Sequence, residues 1–98
     1  MIYEYDDPYL FDKGDITPRR EEKAIAEVEK TGITDPFWVE RLVVTKTYMI
    51  TCEELMSEEN DIYKLKYDHY EKKYRGYLSE ALADKKTQNS VTFEIGRG

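Results

Sequence analysis

One cysteine, Cys52, and one histidine, His69, are all the chain offers of the side chains most used for nucleophilic and metal chemistry. A lone cysteine closes no intrachain disulfide, which excludes a disulfide-stapled secreted scaffold. Cys52 stands among Met49, Ile50, Leu55 and Met56 on an expected helix, where a buried, inert thiol is the natural reading. A nucleophilic thiolate needs basic neighbours and a histidine partner, and Cys52 is followed instead by Glu53 and Glu54. His69, between Asp68 and Tyr70, reads as a half-exposed helical side chain and not as half of a catalytic couple. The sequence has no Gly-rich phosphate loop, no paired-cysteine zinc spacing and no H-E-x-x-H. Asp12-Lys13-Gly14-Asp15 lacks the alternating ligands and late glutamate of a calcium loop. The carboxylate pairs Glu53–Glu54 and Glu58–Glu59 read as ordinary solvated residues. No catalytic, cofactor-binding or metal-binding residue is therefore expected, and no cofactor.

Long apolar runs are also missing. The longest, Leu42-Val43-Val44, falls far short of the ~20 residues of a membrane span, and the first residues, Met1 to Asp7, lack the positive region of a signal peptide. The chain is expected to stay off membranes, in the cytoplasm of the cell that makes it. Basic residues are in deficit, 15 against 21 acidic ones, for a net charge of -6. That balance opposes nonspecific nucleic-acid binding, which depends on a surplus of Lys and Arg to neutralise phosphates. Hydrophobic residues make up 40% of the 98, enough to fold one small domain whose stability a partner would help complete.

Three regions follow from what is present. Residues 1–16 form an arm, expected to be extended, with five acids (Glu4, Asp6, Asp7, Asp12, Asp15) against one Lys13. Between them lie Ile2, Tyr3, Tyr5, Tyr9, Leu10 and Phe11, too many apolar anchors for a solvated tail, so the arm should lie on its own core or on a neighbour. Residues 17–86 read as a helical domain. Thr17-Pro18 and Asp35-Pro36 each place a good N-cap before a proline at the first helical position. Glu21 and Glu22 suit the positive end of the first of these helices, Ala24, Ile25 and Val28 give it a narrow apolar stripe, and Gly32 stops it. The second helix, to about Met56, is apolar over more than half its circumference and should be buried on two sides. After a polar break over Ser57–Asp61, which Ser57 or Asn60 can cap, a third helix runs to about Lys85 or Lys86 and folds back as an antiparallel hairpin. Tyr63, Tyr67, Tyr70, Tyr74, Tyr77 and Ala81 make a heptad-like seam along it. Residues 87–98 form a tail in which Val91, Phe93 and Ile95 alternate as in a β-strand, with no ladder partner in the chain. The fold class is thus mainly α: a three-helix domain with a long hairpin, an extended N-terminal arm and a short C-terminal strand.

The tyrosine seam has two readings. Tyrosine is favoured in cores and protein interfaces, where the ring is buried and the hydroxyl stays wet. With Lys64, Lys66, Lys72, Lys73 and Arg75 nearby, it could also stack bases, although such platforms usually sit on sheets.

One pattern runs from Thr17 to Gly98. A short helix precedes Asp35-Pro36-Phe37-Trp38-Val39-Glu40-Arg41-Leu42, a polar break follows, then the Tyr-rich helix through Tyr77-Leu78-Ser79-Glu80-Ala81-Leu82, then a strand-like tail ending in Arg. This layout resembles the head–tail connector, or adaptor, proteins of tailed bacteriophages. The resemblance implies a virion neck protein, assembled in the host cytoplasm as a ring of itself, commonly of twelve copies. The ring would sit beneath the portal protein, contact a downstream neck or tail protein, and pass DNA only as cargo in its channel. On this sequence the protein-binding roles would fall to Tyr9, Leu10 and Phe11 in the arm, to Val91, Phe93, Ile95 and Arg97 in the tail, and to Tyr63, Tyr70 and Tyr77 on the seam. The alternative is a small acidic helical regulator or inhibitor that occupies a basic groove on another protein.

Overall fold

The computed structural model describes residues 1–11, 14–57 and 61–97, with backbone only at residue 61 and over 86–97. Four helices follow in order: α1 (Pro8–Phe11), α2 (Pro18–Glu29), α3 (Pro36–Leu55) and α4 (Asp61–Arg97). All three prolines of the chain open a helix. A missing amide costs nothing at that position, and the fixed φ of the ring already suits the first turn.

The caps before these prolines are made. Thr17 Oγ1 accepts from the Arg20 amide at 3.2 Å, and Asp35 Oδ1 accepts from the Phe37 amide at 2.9 Å. α2 ends at Glu29, and the turn after it runs through Gly32, whose φ of +75° a side chain would strain. An added Cβ there would also approach Lys85 Nζ to 3.1 Å, because Lys85 donates to the Gly32 carbonyl.

α3 is the central helix, packed on α2 on one side and antiparallel to α4 on the other. Trp38 near its start meets Asp84 late in α4, and Tyr48 in its second half meets Tyr70 early in α4. Leu42 and Val43 are fully enclosed with Ala24, Val28, Ile33 and Ala81 in one half of the core. In the other half Tyr48, Cys52 and Tyr63 join Tyr5, Leu10 and Ile16. Thr47 and Thr51 are also fully buried, each satisfying its hydroxyl by donating to the carbonyl one turn back, Val43 at 2.7 Å and Thr47 at 2.8 Å. Arg20 and Lys23 bracket Glu54 at 2.9 and 3.0 Å, and Arg75 pairs with Glu71 at 2.8 Å. These surface pairs are worth little individually.

Two expectations need correction. The N-terminal region is not an extended arm. It folds back on the hairpin and contains α1, because Asp7-Pro8 repeats the cap-then-proline signature: Asp7 Oδ1 accepts from the Leu10 amide at 3.2 Å. Burying Tyr5, Leu10 and Ile16 rewards that return. The C-terminal strand is not present either, and no β-strand occurs among the described residues. α4 continues through Arg97. Extending an existing helix closes one backbone bond per residue added, whereas a lone strand closes none. In helical register positions 91 and 95 are one turn apart and position 93 falls near the opposite side, so the alternation no longer places the three together. The break expected at Ser57–Asp61 falls partly on residues 58–60, and Asp12 and Lys13 of the acidic loop also lie outside the described residues.

Candidate functional site

The polar chemistry of the molecule gathers where residues 1–11 cross α2, α3 and α4. Asp7 is 5% exposed and lies at the centre. Lys66 of α4 donates to its Oδ2 at 2.9 Å, and the Tyr70 hydroxyl donates to the same oxygen at 2.5 Å. Tyr48 of α3 stacks on Tyr70, with ring centroids 4.5 Å apart. Its hydroxyl accepts from the amides of Asp6 and Asp7 at 2.7 and 2.9 Å and donates to the Asp6 carboxylate at 2.9 Å. That hydroxyl is therefore fully used.

A second clasp lies on α2. Glu21, 2% exposed, accepts from the amides of Ile2 at 2.8 Å and Tyr3 at 3.1 Å and from the Tyr5 hydroxyl at 2.7 Å. Tyr5 also lies edge-on to Tyr48 at 5.7 Å, which links the two clasps.

Both carboxylates keep their charge in this enclosed setting. Burial would raise the Asp7 carboxyl. The hydrogen bonds from Tyr70, Lys66 and the Leu10 amide, with the Lys66 charge, outweigh it and hold Asp7 below the ordinary carboxylate range. Burial likewise opposes ionisation of Glu21 and is outweighed by the Ile2 amide, the Tyr5 hydroxyl and the Tyr3 amide, with the terminal ammonium. The phenols move the other way. Tyr70, Tyr48 and Tyr5 are pushed well above the usual phenol range, chiefly by burial, and Tyr70 further by Asp7. Their hydroxyls stay protonated and serve as donors.

Beside the crossing lies a cleft of about 670 Å³. Lys66, Tyr70, Lys73 and Tyr77, at helical spacing along α4, form one wall, and Arg41, Val44, Thr45 and Tyr48 of α3 form the other. The acidic stretch from Glu4 to Asp7 closes one end. Arg41 is held over the Phe37 ring at 3.6 Å.

Nothing in this arrangement assembles a nucleophile and base. Cys52 is fully buried, and burial first, then the Asp7 charge, pushes its thiol up to about 11. His69 packs edge-on against Tyr70 at 5.0 Å. Among the described residues no three His, Cys, Asp or Glu side chains are grouped to hold a metal ion, and no helix is long and apolar enough to cross a membrane.

The residues expected to bind partners do not form one site. Leu10 is fully enclosed in the chain's own core, which removes it as an external anchor, and Tyr63 is buried beside it. Tyr9 lies edge-on to Tyr63 at 6.0 Å, with Lys66 Nζ 5.4 Å from its ring. Phe11 remains 46% exposed. Tyr70 is half-buried under Asp7, and Tyr77 tilts against Trp38 at 6.3 Å. The seam thus packs largely against the chain itself. Val91, Phe93, Ile95 and Arg97 sit on the far part of α4, Val91 being about 32 Å along the axis from Tyr70 at 1.5 Å per residue.

Sequence reasoning missed the two clasps. Glu21 reads as a dipole-supporting surface acid, yet it shares one helix face with Ala24 and Val28, and an acid on a core-facing stripe is the signal. Lys66 stands one turn before Tyr70 on the seam side of α4, equally legible in hindsight. No family model, no curated protein and no solved structure matches the chain.

Proposed function

We propose that the protein is a non-catalytic structural subunit of a tailed-phage neck, a head–tail connector that assembles as a ring beneath the portal and links capsid to tail around the DNA channel. The observation that carries this reading is the length of α4. Its partner α3 begins at Pro36, level with Asp84 and Lys85, and α4 continues to Arg97. Those further 12 residues extend about 18 Å at 1.5 Å per residue. The molecule is correspondingly long, 60 × 24 × 20 Å. A helix end that outruns its own hairpin is suited to lie in a neighbour's groove, and in a ring many such contacts reinforce one another.

Charge distribution supports the same reading. From Asp61 onward the chain holds eight Lys and Arg against six Asp and Glu, so its acidity resides in residues 1–60, with 15 acids against seven Lys and Arg. An acidic surface facing a channel lets DNA pass without sticking. The rival reading, an acidic regulator seated in a basic groove, drew on the acidic arm. Asp6 and Asp7 are occupied within the chain by Tyr48, Lys66 and Tyr70, which leaves that reading less to work with.

The test is co-sedimentation with an assembled portal ring. The full chain should travel with the portal in a ring-like ratio. A chain ending at Lys86 should keep the helical circular dichroism of the hairpin and stay behind. Binding of both chains alike would contradict the assigned role of α4. Capture of a nuclease or polymerase with no affinity for portal would favour the regulator.

A further inference from the structure

Residues 1–11 are held to the body at two enclosed carboxylates, with the Tyr5 hydroxyl also 3.3 Å from Thr47 Oγ1. At one, Asp7 is held by Lys66 and Tyr70 while Tyr48 holds the adjacent amides. At the other, Glu21 holds the amides of Ile2 and Tyr3 and the hydroxyl of Tyr5. α3 packs directly on α2 and on α4, and the segment adds Tyr5 and Leu10 to one half of the core. Beneath it lie Tyr48, Cys52, Tyr63 and Tyr70.

We infer that residues 1–11 form a releasable strap, clasped at Asp7 and Glu21, whose release leaves α2–α4 folded and uncovers the tyrosine face of the hairpin together with the Cys52 thiol. The inference stands apart from the neck-protein reading and holds or fails without it.

The two kinds of contact respond differently to disturbance. Helix packing through Leu42, Val43, Ala24 and Val28 is apolar and indifferent to the charge of a carboxylate. The strap combines apolar burial of Tyr5 and Leu10 with ionised acceptors, and an enclosed acceptor that loses charge or partner turns from support into a cost.

The groups facing Asp7 are Asp6 in the strap, Tyr48 and Cys52 on α3, and Lys66 and Tyr70 on α4. Those facing Glu21 are Tyr5 and the terminal ammonium, with Tyr48 reached through Tyr5. The phenols of Tyr5, Tyr48 and Tyr70, pushed above their usual range chiefly by burial, stay neutral in acid. Both carboxyls lie below the ordinary carboxylate range when the strap is docked. Their contribution is therefore complete above that range and is lost as pH falls through their lowered values.

Cys52, the chain's one thiol, reports the event. The full chain is labelled with 4,4′-dithiodipyridine, a thiol reagent that works in acid, from neutral pH to about pH 3. Each rate is divided by that of the denatured chain at the same pH, and far-ultraviolet ellipticity is followed in parallel. The normalised rate should rise in acid before ellipticity falls. Asp7→Asn and Glu21→Gln should each raise it at neutral pH by about tenfold to a hundredfold, the equivalent of one charge-assisted hydrogen bond, with helical content kept. One shared transition for labelling and ellipticity would overturn the strap. So would loss of helix in both variants at neutral pH, since strap and body would then be a single cooperative unit.

Discussion

Leu42→Ala is expected to lower the stability of the chain by about 2–5 kcal/mol, read as a shift in the urea midpoint at unchanged slope. Leu42 is fully enclosed in the centre of α3, among side chains from α2, α4 and the turn at Ile33. Truncation there removes contacts from two interfaces at once, and three crossing helices have little freedom to collapse into the space. A domain of this size has roughly 5–15 kcal/mol in total, so the variant should be partly unfolded at modest temperature. A loss under 1 kcal/mol would mean that α3 is not the shared centre of the core.

Lys66→Met should be the costliest change on the polar side, at about 3 kcal/mol, because it leaves the Asp7 carboxylate enclosed with its Lys66 partner gone. The loss has a ceiling. Once it exceeds the free energy that holds residues 1–11 down, the segment lifts and Asp7 regains water. Asp7→Asn together with Lys66→Met should recover more than half of the deficit, since no charge is stranded and the amide oxygen still accepts from either Tyr70 or the Leu10 amide. A double-mutant cycle from denaturant curves measures this. Additive losses would show that Asp7 and Lys66 do not act as a pair.

The helices were legible because their punctuation is local. Thr17-Pro18, Asp35-Pro36 and Gly32 each act within one turn of themselves, and α2 and α3 begin where the caps place them and α2 stops just before Gly32. The width of the apolar surface on α3 announced burial on two sides for a similarly direct reason. Asp7-Pro8 carries the same signature, but its helix is a single turn, and the surrounding acids and tyrosines obscured it. What local pattern cannot supply is the destination of an apolar anchor. Tyr5 and Leu10 had to be buried somewhere, and nothing within a few residues of them distinguishes their own hairpin from a neighbour's. The clasps at Asp7 and Glu21 were hidden for a related reason. Their partners lie 59 and 63 residues away for Asp7, and 16 to 19 for Glu21. The end of the chain failed differently: Val91-Thr92-Phe93-Glu94-Ile95 alternates as a strand does, yet follows a helix already running, and continuing that helix needs no partner.

Assembly through the far part of α4 is best tested by amide hydrogen exchange over residues 87–97, comparing the dilute chain with the chain bound to portal. Exchange there should be fast in the dilute chain and slow by at least about tenfold on binding, while the core of α3 is protected in both. Equal rates over this stretch in the two states, with any new protection confined to residues 1–11, would contradict the account.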